Sequence, residues 1–191
     1  MKGVLALNES LLHSLRKGGY ILFARHGEAN VGNDLPNLDF QDCSTQRNLS
    51  EYGRQQAIYY GKMLRYWQIP IQPFVSTSPF CRTIETAQLA FGSAHVQVNP
   101  FWYEIYRLSE NNITSSESQM ILNHFHSIME IPPLEGQNKV IVAHSFPKGV
   151  GLGDIPYMAT VVVKPKGVGN GYEVVQQLDL EDWGKFDISG K

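Results

Sequence analysis

The chain has 191 residues, of which 42% are hydrophobic and 18% charged, with a formal net charge of −2. Such a length suits a single domain over 1–191 with a sizeable core, and the composition excludes a disordered or fibrous chain. The near-neutral charge gives no broad basic face for nucleic acid or anionic lipid, so any anion site must be a local pocket.

No apolar run approaches the roughly 20 residues that cross a bilayer. This predicts a soluble protein without membrane insertion, either cytoplasmic or the mature part of an exported one. The two cysteines, Cys43 and Cys81, show no metal-ligand spacing and are read either as buried thiols or as one disulfide.

In chain order, Leu11, Leu12 and Leu15 share one side of a short helix that Gly18-Gly19 closes, with Arg16 and Lys17 suited to its last turn. Residues 20–24 are an almost continuous apolar run, the pattern of a strand buried on both faces of a parallel sheet. Residues 33–48 mix Asn, Asp, Pro, Gln and Ser and predict a long surface loop. Ser50 caps a helix from Glu51 to about Trp67, with Ala57, Met63 and Leu64 on its core face, and residues 74–76 form a second strand.

Ser78 and Pro79 predict a helix start, because the hydroxyl accepts from an orphan amide and proline fits the first helical position. Ile84, Ala87 and Phe91 mark its buried face and Gly92 its end. Residues 95–98 predict a third strand. Ser116 with Gln119 suggests a capping box for a helix through Met120, Phe125 and Ile128, which Pro132-Pro133 stops. Residues 139–143 are a fourth buried strand, and 160–164 with 172–177 make a terminal pair around the glycine-rich stretch 167–171. Strands separated by helices predict a three-layer α/β/α sandwich with a mostly parallel central sheet and an antiparallel edge.

In open α/β sheets ligands sit beyond the carboxyl ends of the strands. The first strand delivers Arg25-His26-Gly27-Glu28 there, the second Ser76-Thr77-Ser78 with Arg82 soon after, and the fourth His144-Ser145. Two arginines and two histidines thus converge from distant parts of the chain. Arginine holds phosphate oxygens bidentately, so Arg25 and Arg82 suit a transferring phosphoryl group. A neutral imidazole in line with phosphorus can attack it, and neighbouring cations favour that neutral form. The departing alkoxide needs a proton, for which Glu104, after the third strand, is the candidate acid.

Arg25-His26-Gly27-Glu28 resembles the Arg-His-Gly-Glu signature of the histidine phosphatase superfamily, also called phosphoglycerate mutase-like. Further blocks follow in order: Leu49-Ser50-Glu51-Tyr52-Gly53 with Gln56-Ala57, then Ser76-Thr77-Ser78-Pro79 through Arg82-Thr83 to Glu85-Thr86-Ala87, then Ala143-His144-Ser145. The resemblance runs from about residue 20 to residue 166. It implies that His26 is phosphorylated, that Arg25, Arg82 and His144 surround the phosphate, and that Glu104 is the proton donor. The asparagine that members carry a little after the nucleophile is out of register, with Asn30 and Asn33 on either side, and Asn30 is taken as phosphate-binding. Asp42-Cys43, Gln46-Arg47-Asn48-Leu49 and Phe80-Cys81-Arg82-Thr83 look like a small bacterial branch in which exported members occur; a Cys43–Cys81 disulfide is conceivable there.

The expected activity is metal-independent hydrolysis of a phosphomonoester, without a cofactor, on a phosphorylated small molecule or phosphoprotein. Mutases of the superfamily carry longer inserted segments, which favours hydrolysis here. The alternatives are a protein phosphohistidine phosphatase and a non-catalytic phosphate-binding domain of the same fold. Arg47 is read equally as a pocket residue or a solvated loop arginine. His124 and His126, two apart on a helix, point in different directions and make no metal pair. The aromatics Phe101, Trp102, Tyr103 and Tyr106 are read as packing rather than a substrate mouth.

Overall fold

Ile21, Leu22, Phe23 and Ala24 are each fully buried, because the strand they form is covered on both faces. The structure, a computed structural model, describes residues 2–186, with side chains from residue 9 onward. This strand, β1 (Ile21–Arg25), joins β2 (Val75–Thr77), β3 (Val96–Val98), β4 (Lys139–Ala143), β5 (Thr160–Pro165) and β6 (Tyr172–Leu178) in one sheet of order β3-β2-β4-β1-β5-β6. The first four in that order run parallel, whereas β5 is antiparallel to β1 and β6 to β5. The mostly parallel sheet with an antiparallel edge is therefore as expected.

Five α-helices are present among the described residues: α1 (Lys2–Lys17), α2 (Glu51–Tyr66), α3 (Cys81–Phe91), α4 (Phe101–Arg107) and α5 (Ser115–Met129). The period-2 alternation of the strands divides the core into two layers. Leu22, Ala24, Val140 and Val142 pack against Leu15 of α1, Ala57, Tyr60 and Leu64 of α2, and Ala87 and Ala90 of α3. Ile21, Phe23, Ile141 and Ala143 face the opposite way, onto Trp102 and Ile105 of α4 and Ile121, Phe125 and Met129 of α5. Among the described residues no helix is long and apolar enough to cross a membrane.

Several local expectations shift. Ser50 caps α2 as predicted, its Oγ accepting from Gly53 N at 3.0 Å. Helix α3, however, begins at Cys81 rather than Pro79 and has no side-chain cap; the Ser78 hydroxyl is 2.8 Å from His144 Nε2 and accepts from Phe80 N, ahead of the helix, at 3.4 Å. The capping box of α5 is Thr114 with Glu117, not Ser116 with Gln119. Its buried stripe accordingly runs Ile121, Phe125, Met129, leaving Met120 exposed. In α3, Thr83, Thr86, Ala87 and Ala90 form the buried face and Ile84 is only half-buried. His95 lies in a 3-10 turn before β3.

Chain connectivity reverses between β1 and β4: from β1 the chain passes over β4 to β2, and from β4 it turns to β5 on the other side. A crevice between the carboxyl ends of β1 and β4 is where such a sheet places its ligand.

Candidate active site

His26 follows β1 directly, and its amide still donates to Ala143 O of β4 at 3.1 Å. The next residue must be glycine, because a Cβ on Gly27 would come within 2.5 Å of Gly53 O in α2. Gly27 N donates to Thr86 Oγ1 of α3 at 3.1 Å, which ties the strand end to that helix. The His26 ring is 2% exposed, and its Nδ1 is 2.7 Å from Gly27 O. A carbonyl can only accept, so in the neutral ring Nδ1 carries the proton and Nε2 keeps its lone pair. Burial holds the His26 pKa well below the usual imidazole value, assisted by the charges of Arg82, Arg25 and Arg47.

His144 continues β4. Its ring meets that of His26 edge to face, with centroids 5.5 Å apart, and Phe80 and Tyr106 pack around it at 4.9 and 5.4 Å. Burial, then the neighbouring His26 and Arg82, likewise depress its pKa strongly. Both rings are neutral at pH 7.

Arg82, in the first turn of α3, is fully buried over the Phe80 ring, 4.0 Å from its centroid. Its guanidinium is paired with Asp34, Nη1 donating to Oδ1 at 2.7 Å and Nη2 to Oδ2 at 3.2 Å. Arg25 donates from Nη1 to Ile155 O at 2.8 Å and stacks on Tyr157, 3.9 Å from the ring centroid. Tyr157 in turn lies 5.7 Å from the His26 ring. Arg47 lines an open cavity of about 540 Å³ together with Glu28, Asn30, Val31, Ser50 and Tyr157.

The Nε–H groups of both Arg47 and Arg82 are buried without an acceptor. Buried polar groups nearly always find partners. Two unpartnered guanidinium donors beside two neutral imidazoles therefore describe a place ready for an anion.

The structure thus gathers His26, His144, Arg25 and Arg82, and adds Arg47 from the long loop. It does not bring Glu104 to them. Trp102 and Ile105 turn into the core, which leaves Glu104 on the outer side of α4, where its Oε2 accepts from Arg107 Nη1 at 2.9 Å. Among the described residues it makes no hydrogen bond or ion pair with the four gathered side chains. Asn30 lies at the exposed rim, its Nδ2 3.4 Å from Leu49 O. Of the aromatics, Trp102 is core packing as expected, but Tyr106 borders the site and donates to Asp34 Oδ2 at 3.1 Å. His126 stacks on Tyr172 and His124 meets Phe101 edge to face, so the two part as expected.

The disulfide alternative holds: Cys43 and Cys81 are bonded, with Cα atoms 5.8 Å apart. The bridge fastens the long loop to the first residue of α3, and Cys81 N also donates to Gln46 Oε1 at 2.8 Å. Residues missed from sequence are Asp34 and Tyr157, while Tyr106 was read there as packing. No spacing marked them, since each reaches the site through loop path or helix rotation.

The family model of the histidine phosphatase superfamily (branch 1) matches residues 21–126, more than half of the chain. No curated protein matches it in sequence. Solved structures share the fold. The protein histidine phosphatase SixA, complexed with tungstate, superposes with a TM-score of 0.53 at 14% identity, covering 85% of this chain and 98% of that one. The SixA protein of Nakamurella multipartitia gives 0.53 at 18%, over 84% and 95%. Phosphoserine phosphatase of Entamoeba histolytica, bound to 3-phosphoglyceric acid, gives 0.51 at 15%, over 84% and 96%. The fold is accordingly phosphoglycerate mutase-like. Signature, topology and family match agree: the chain belongs to the histidine phosphatase superfamily (branch 1) and is a phosphatase acting on phosphorylated substrates.

Proposed function

We propose that the chain is a phosphomonoesterase in which Nε2 of His26 takes the phosphoryl group. The lone pair of Nε2 attacks phosphorus, the ester P–O bond breaks, and the leaving oxygen takes a proton from water in the open cavity. Water then attacks phosphorus and gives up a proton to the hydroxide left by that transfer, the P–N bond breaks, and phosphate leaves with His26 neutral again. The reading is carried by the two buried, unpartnered Nε–H groups of Arg82 and Arg47 beside the neutral His26 ring. They supply fixed positive charge where the three equatorial oxygens of the transition state gather, the role a metal plays elsewhere. Arg25 adds a third cation and His144 a polar ring at the same crevice. No protein acid is needed for a leaving group as stable as a phenolate.

Turnover of an aryl phosphate in excess chelator, with an acid-labile, base-stable phosphate trapped on the wild type and lost in His26→Ala, is the expected result. Turnover that survives His26→Ala would sink the reading. The Cys43–Cys81 bridge fits a protein that works in an oxidising compartment.

A further inference from the structure

Asp34 sits in the long loop, has no part in the chemistry above, and yet its carboxylate is only 9% exposed against a fully buried arginine. How it meets Arg82 matters. A guanidinium offers five N–H donors in one plane. Arg82 gives one Nη1–H to Asp34 Oδ1 at 2.7 Å, the other to Arg47 O at 3.1 Å, and one Nη2–H to Asp34 Oδ2 at 3.2 Å. The carboxylate therefore covers the end of the fork. The remaining donors, Nε–H and the second Nη2–H, lie side by side on one edge, and Nε is buried with no acceptor. Such an edge matches two oxygens of a phosphoryl group.

Asp34 is itself held on every side. Oδ1 also accepts from Arg47 N at 2.8 Å and Oδ2 from the Tyr106 hydroxyl at 3.1 Å, so each oxygen has two donors. With Phe80 against the guanidinium, 4.0 Å from Cζ to the ring centroid, Arg82 is held on a face as well as at its end. The loop carrying Asp34 is fastened to α3, which carries Arg82, by the Cys43–Cys81 bridge.

We propose that Asp34 is the positioning residue of Arg82: by taking the end of the guanidinium it presents the Nε edge to the phosphoryl group at His26. This rests on the reading of Arg82 as a phosphate ligand. The opposite relation, in which Asp34 competes with phosphate for Arg82, predicts the opposite sign and makes the proposal testable.

Tungstate and inorganic phosphate are titrated calorimetrically into the disulfide-intact wild type, Asp34→Asn and Tyr106→Phe, with thermal melting of each and kcat and KM on an aryl phosphate. Asp34→Asn should weaken anion binding by about tenfold or more and lower kcat/KM in parallel, as loss of an orienting partner does at metal sites. Tyr106→Phe frees one carboxylate oxygen without touching Arg82 and should act in the same direction, less strongly; it carries the test if Asp34→Asn does not fold. Folded Asp34→Asn that binds tungstate as tightly as wild type overturns the proposal, and tighter binding marks Asp34 as a competitor. A wild type that binds neither anion removes instead the reading of Arg82 as a phosphate ligand.

Discussion

The rings of His26 and His144 meet at a centroid distance of 5.5 Å and an interplanar angle of 73°, both buried and both surrounded by arginine charge. Neither can take a proton at the pH where a free imidazole does. In the unfolded chain both protonate near 6.5, the ordinary value. Between that value and the lower folded pKa the unfolded state binds more protons, so stability falls as pH drops through this window. The slope approaches about 1.4 kcal/mol per pH unit for each ring. Urea unfolding at about pH 7.5 and about pH 5.5 checks it, and a flat profile would contradict the buried neutral rings. By the same reasoning the acid limb of kcat/KM lies below 6.5, because the His26 nucleophile stays unprotonated there.

Cys43 and Cys81 close a loop of 38 residues, which in the chain-entropy account corresponds to about 4 kcal/mol of stabilisation. Reduction, or Cys43→Ser with Cys81→Ser, should lower the thermal midpoint. It should also raise KM more than it lowers kcat, since the loop it releases carries Asp34 and Arg47. Melting curves and aryl phosphatase kinetics with and without reductant read both effects, and an unchanged KM would separate the bridge from the site.

Arg82→Lys keeps one charge but loses the planar fork, both its Asp34-facing end and its Nε edge. A lysine ammonium cannot serve both at once. We expect kcat/KM to fall by about 100-fold, and Arg47→Ala, which removes the second unpartnered donor from a loop rather than a helix, to cost about tenfold. Steady-state kinetics with matched melting temperatures decide this.

Glu104 faces out of α4 and is held by Arg107 at 2.9 Å. Glu104→Gln should therefore change kcat on both an aryl and an alkyl phosphate by less than about threefold. A loss of about 100-fold confined to the alkyl ester, whose leaving group needs a proton, would return it to the role of general acid.

Features set by the chain's own periodicity were legible in advance. Burial on both faces needs apolar residues at every position, so residues 21–24 and 140–143 declared themselves as central strands, and the residues following them as site residues. Ser50 declared itself as a cap because its partner, Gly53 N, is local. Ser78 misled because its hydroxyl also meets His144, 66 residues away, a partner that no local pattern announces, and the helix starts two residues later than expected. The placement of Glu104 was not legible because distance along the chain from a strand end does not tell which way a helical side chain turns; in the fold, Trp102 and Ile105 take the buried face of α4 and Glu104 pairs with Arg107.

By itself the sequence determined the α/β alternation, the signature Arg25-His26-Gly27-Glu28 and the later positions of Arg82 and His144, since these follow from local pattern and from what strand ends present. Tertiary structure alone decided how the cations are oriented and whether the imidazoles are charged. Asp34 meets Arg82 across 48 residues of chain, and the neutral state of His26 and His144 comes from burial beneath elements remote from both. Hydrogen-bond direction and desolvation depend on the path of the whole chain, and no short-range pattern records them.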